Sequence, residues 1–176
     1  MIPLLLKEIM MKRITTFGLL GLLALSSPAL AAEPWEQAVA TAIGKPGAEM
    51  PGGVYRIGLP RSDLHVVLDG VTLKPALALG SWLAFVPHGG GQAMVMGDLV
   101  LTDTEVNPVM AKLVAGGIEI TALHNHLLRN TPHTMYMHIA GHGDPAQLAK
   151  VLHDALALSG TPLSAPPAAS PAAPET

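Results

Sequence analysis

Residues 121–144 read TALHNHLLRNTPHTMYMHIAGHGD, and on both sides of the central turn histidines alternate with apolar residues at a period of two. Successive side chains of a strand point to opposite faces, so this period fits half-buried strands and not a helix. His124 and His126 project from one face of the first run, and Leu123 and Leu127 from the other. In the second run Tyr136 and His138 alternate with Met135, Met137 and Ile139. The polar stretch at 129–132 turns the chain back, giving an antiparallel hairpin over 118–127 and 133–140 with His138 opposite His124. A hairpin with one apolar face must bury it, so the chain is confined to a sheet with a covering layer.

Amphipathic helices supply that layer. Residues 34–43 carry Trp35, Val39 and Ile43 on one side and end at Gly44 and Pro46. Thr102 or Asp103 caps a second helix bearing Val106, Val109, Met110, Leu113 and Val114, which stops at Gly116 and Gly117. Asp144 and Pro145 open a third, with Leu148, Val151, Leu152, Ala155 and Leu156 on its stripe. Short β-prone runs at 53–59, 64–68, 81–86 and 93–101 are punctuated by the Asp69-Gly70 pair and by PHGGGQ, a hairpin loop whose glycines follow His88. The order predicts an α+β domain, a mainly antiparallel sheet with two or three helices packed on one face. Met94, Met96, Met135 and Met137 are assigned to core packing.

Lys12 and Arg13 precede an apolar run at 14–25, followed by SSPALA, the pattern of an export signal cleaved after Ala31. Ser26, Ser27 and Pro28 leave the run short of the ~20 apolar residues of a spanning helix. The expected organisation is a signal at 1–31, one domain at 32–162, and a disordered Pro/Ala-rich tail at 163–176. The expected location is periplasmic or secreted, with no stable membrane anchor once the signal is gone. A net charge of -3 and the lack of any Lys/Arg cluster after the signal give no footprint for nucleic acid. The chain has 0 cysteines, so any metal site is built from nitrogen and oxygen.

Neutral imidazole is a ligand for divalent transition metals, zinc among them, and two histidines at i, i+2 with a third across a hairpin can hold such an ion. His124, His126 and His138 are the expected metal ligands, with His142, four residues beyond His138, as a fourth. Glu105, in the first turn of the second helix, is the expected general base, and Tyr136 the group that donates to an oxyanion or caps the site. His133 and His153 are read as surface or packing residues. A metal with an open position points to a hydrolase or lyase, whereas a closed site points to a noncatalytic module for a metal ion or small ligand.

Three blocks, RSDLHVVLDGVTLKPALALGSWLAF, AMVMGDLVLTDTEVNPVM and GGIEITALHNHLLRNTPHTMYMHIAGHGDPAQLA, resemble the LppY/LpqO family over about residues 52–160. The ALHNHLL and MYMH segments carry most of the likeness. The resemblance implies an exported bacterial domain of unknown function. Some members of that family are lipid-anchored, and this chain departs from them in having no cysteine for lipid attachment.

Overall fold

The alternating runs assemble into a six-stranded sheet in a computed structural model that describes residues 33–164. The first half of the chain contributes α1 (Pro34–Ile43), β1 (Ala48–Met50), β2 (Val54–Pro60), β3 (Val67–Leu68), β4 (Val71–Thr72) and β5 (Gly80–Pro87). The second half contributes β6 (Ala93–Thr102), α2 (Asp103–Ala115), β7 (Glu119–His124), β8 (Asn130–Thr131), β9 (Thr134–Gly143) and α3 (Pro145–Leu156). The main sheet has the order β1-β2-β5-β6-β9-β7, and every neighbouring pair in it is antiparallel. This is the α+β architecture expected from the pattern. The expected signal at 1–31 and residues 165–176 of the expected tail lie outside the described residues.

The three helices cover one face of this sheet and bury its alternate residues. Ile57, Leu59, Leu83, Phe85, Val95, Leu99, Met137 and Ile139 from the strands meet Val39, Ile43, Val109, Leu113, Leu152 and Leu156 from the helices in one core. Helix ends are fixed as the sequence suggests. Thr102 caps α2 in a capping box with Glu105, and the Asp144 side chain accepts from the Gln147 amide at 2.9 Å at the start of α3. No helix among the described residues is long and apolar enough to cross a membrane.

Residues on the opposite face are where the structure departs from expectation. Met94 and Met96 are 44% and 58% exposed there, because β6 alternates so that Val95, Gly97 and Leu99 take the helix side. They are not core residues, unlike Met137. A second, three-stranded sheet, β4-β3-β8, forms on residues whose short strands carry little pattern. Its β3–β4 turn is Asp69-Gly70 with φ of 48° and 83°, the left-handed pair that a two-residue hairpin requires. A small second core of Val66, Leu79, Val100 and Tyr136 accompanies it, with Leu127 packed against this cluster and not, as expected, beneath the helices.

The histidine hairpin itself forms, with a shifted register. Ala122 pairs with His138 and His124 with Tyr136, and an irregularity between Ile120 and Ala122 displaces the ladder. His138 is therefore diagonal to His124 and not opposite it. The connecting segment does more than turn, since Asn130 and Thr131 leave the hairpin to pair with β3.

Candidate functional site

The face away from the helices, covered in part by the second core, is organised as rows that run across the strands. One row is Gly58, Trp82, Asp98, His138 and Ala122, on β2, β5, β6, β9 and β7 in turn. His124 and Tyr136 form the next rung of the β7–β9 ladder on the same face. His126 follows the end of β7 in a bend that brings its ring back over this rung. Three imidazoles thus gather from two strands and a loop. His124 Nε2 and His126 Nε2 are 3.1 Å apart, and the ring centroids of His124 and His138 are 4.8 Å apart.

Tyr136 is the wall on which these rings rest. It is stacked on His124 at 6.2 Å and meets His126 edge-on at 4.4 Å between centroids. Its hydroxyl donates to the Ala78 carbonyl at 2.7 Å, which occupies the proton that an oxyanion would need. Burial pushes the phenol above its ordinary pKa, so it remains a neutral donor to that carbonyl. Tyr136 positions rings; the role of free donor expected for it is not available while that bond stands.

Asp98 joins the cluster from β6, and sequence reasoning passed over it. Its Oδ2 is 3.7 Å from His138 Nε2, and its buried Oδ1 has no hydrogen-bond partner among the described residues. A buried acceptor without a partner costs free energy, so it marks a place where the fold leaves something incomplete. The signal was present in the sequence. Asp98 is the one charged residue in the strand run 93–101, and the period of two puts it on the side opposite Val95 and Leu99.

Glu105 does not stand beside the histidines. Its two oxygens accept from Arg61 Nη1 at 2.8 Å and Nη2 at 3.0 Å, from the Thr102 amide at 2.8 Å and from the Gly160 amide at 2.7 Å. Burial raises the Glu105 pKa, but the hydrogen bonds from Arg61, Thr102 and Gly160 outweigh it and hold the carboxyl below its ordinary value. An anion so fully engaged is a poor proton acceptor, which corrects its assignment as a general base reaching the site. Arg61, whose side chain is fully buried, also donates to Asp63 at 2.9 and 2.8 Å and to the Val100 carbonyl at 2.6 Å.

His142 is also elsewhere. It pairs with Met94 while His138 pairs with Asp98, which puts it about 13 Å further along β9 at the usual strand rise. Its ring lies 5.1 Å from that of His88, at the β5–β6 loop, where Gly89, Gly90 and Gly91 all take positive φ. His133, read as a surface residue, has a specific place. Its Nδ1 is 2.8 Å from Asp103 Oδ1 and its Nε2 is 3.1 Å from Asn125 Nδ2, so α2 tethers the residue lying between His124 and His126.

A cavity of about 660 Å³ opens beside the cluster. Its walls include Arg56, Gly58, Ser81, Asp98, His126 and Tyr136, with Pro75, Ala76 and Ala78 as a rim. Among the described residues no group of three or more His, Asp or Glu side chains stands in a geometry that holds a metal ion. The cluster as placed is a set of close but separately turned rings.

Compared with known proteins, residues 37–158 match the model of a family described as Domain of Unknown Function (DUF1259). No curated protein and no solved structure matches the chain.

Proposed function

Since the chain belongs to the family of that domain of unknown function, its activity has to be argued from its own residues, and we propose that it is an exported protein whose histidine cluster binds a divalent transition metal. The observation that carries this is the 3.1 Å separation of His124 Nε2 and His126 Nε2, with the His138 ring close by on the same face. Two nitrogens bound to one tetrahedral ion at 2.0–2.1 Å would be about 3.3 Å apart, so these two need little movement. His138 has to turn toward them, and at 44% exposure its side chain has room to do so. Asp98 lies where it could serve as a fourth ligand or accept a proton from His138, the usual partner of a ligating imidazole.

Zinc fits this nitrogen and oxygen donor set, and when bound it would polarise a carbonyl or activate water. The protein's own groups orient a substrate against the Tyr136 wall and hold the rings, and the cavity gives access from one side. A metal-dependent hydrolase or lyase is the reading this supports. A noncatalytic module for a metal or small ligand is favoured by one observation, that the Tyr136 hydroxyl and Glu105 are both already engaged. Export rests on the leader pattern alone, and membership of the LppY/LpqO type within the family rests on ALHNHLL and MYMH.

Thermal melts with and without zinc, copper(II), nickel and manganese test the metal. A metal that binds only the native protein stabilises it by about 2.7 kcal/mol at a hundredfold excess over Kd. The wild type is expected to gain stability, and His124→Ala, His126→Ala and His138→Ala to lose most of the gain, while His153→Ala keeps it. Equal melts for the wild type with and without every metal would exclude the proposal.

A further inference from the structure

We infer that the cavity beside the histidines takes a small organic acid, its carboxylate held by Arg56 at one wall and its remainder facing Asp98, His126 and Tyr136 at the other. The inference deepens the reading of this face as the working site and rests on it.

The cavity is charged asymmetrically. Arg56 is the only permanent cation among its lining residues, and Asp98 the only carboxyl group. No carboxylate pairs with Arg56 among the described residues, whereas Arg61 holds two, Asp63 and Glu105, and Arg129 holds Asp69. Its guanidinium is instead laid over the Trp82 ring, 5.5 Å from the centroid. That contact holds the planar fork above the sheet, where its N–H groups have no partner among the described residues. A guanidinium so placed accepts a carboxylate through two parallel hydrogen bonds. A single cation balances a monocarboxylate, while a dianion such as phosphate would leave charge uncompensated near Asp98.

The floor beside Arg56 is open at Gly58, while Trp82 of β5 stands between Gly58 and Asp98 in the row. Arg56 is on β2 and Asp98 on β6 with β5 between them, so the walls are roughly 10 Å apart across the strands. Gly58 stands in the row that contains Asp98 and His138, and a Cβ added there meets nothing within 4 Å. The space over Gly58 is therefore cavity and not packing. A pocket of about 660 Å³ is in the range that holds small molecules.

The test is calorimetric titration of the full chain with lactate, glycolate and benzoate at a pH above the second ionisation of phosphate, with lactamide as the neutral counterpart and inorganic phosphate as the dianion. At least one carboxylate should bind, and lactamide and phosphate should bind at least about tenfold more weakly, since neither presents a single carboxylate to the fork. Arg56→Gln should cost the carboxylate at least about tenfold in affinity. Gly58→Val fills the floor with a residue that suits a strand and should remove binding, with the unfolding midpoints of both variants near that of the wild type. Failure of all three carboxylates to bind, equal binding of lactamide, or unchanged binding by Arg56→Gln overturns the inference. Zinc melts on the same proteins separate the two proposals. Zinc stabilisation without carboxylate binding sinks only the organic acid, and carboxylate binding that depends on Arg56 without any metal effect sinks only the metal.

Discussion

Arg61 and its partners form one polar cluster of this domain, and the histidines with Asp98 form another, and the two obey opposite rules. In the first, a fully buried guanidinium meets Asp63, Glu105 and a carbonyl, and both Glu105 oxygens are engaged by at least two donors each. In the second, an aspartate oxygen is buried with no partner among the described residues, and three imidazoles face one another half exposed. Completed polar networks fix a fold, and incomplete ones beside a cavity are where a ligand has something to add. The difference also separates the two glutamate and aspartate carboxyl groups by role, although both sit at strand or helix positions that look equally plausible in the sequence.

The largest effect should come from breaking the completed cluster. Arg61→Ala leaves Glu105 and Asp63 without their buried cation and should cost roughly 3–5 kcal/mol in urea unfolding. A loss under about 1 kcal/mol would mean the cluster is not what holds β2, α2 and the Gly160 segment together. Acid comes next. Because the folded-state pKa of Glu105 is depressed, its contribution is present above the unfolded carboxyl pKa and is lost as pH falls through the folded value. Stability measured as a function of pH should therefore fall below the ordinary glutamate range, and Glu105→Gln should flatten that fall while costing about 2 kcal/mol at neutral pH. The smallest effects belong to the incomplete cluster. Asp98→Ala has no hydrogen bond of Oδ1 to lose and should change metal-free stability by less than about 1 kcal/mol, yet it should weaken stabilisation by metal. His142→Ala should do neither.

Much of the fold was legible because period and punctuation agree. The three helices begin and end where Thr102, Asp144, Gly44 and the Gly116-Gly117 pair say they should, and Met137 and Ile139 alternate against His138 as a half-buried strand must. What was not legible depends on contacts far apart in sequence. A strand's alternation states which residues share a face, not which face is covered, so Met94 and Met96 looked like core residues. Strands of two residues, such as β3 and β8, carry no period at all. Register was not legible, because the segment joining the two strands is longer than a tight hairpin turn and an irregularity at Ile120/Ala122 offsets the ladder, so that His138 pairs with Ala122 and His124 with Tyr136. Glu105 was misplaced because its partner, Arg61, is 44 residues away and nothing local announces a buried guanidinium.

The loop that carries His126 ends in β8, and β8 is joined to β3 by the pairs Val67–Thr131 and Leu68–Asn130 and by the exposed ion pair of Arg129 with Asp69. The β6–β9 ladder beneath it runs for ten registered pairs. Separation of so short a seam is a local opening that leaves the main sheet intact, so hydrogen exchange is expected to be faster at the β8 amides than at those of the β6–β9 ladder. One ligand of the proposed site thus hangs from a short seam and another from a girder, and the first is expected to loosen before the second when the domain is destabilised.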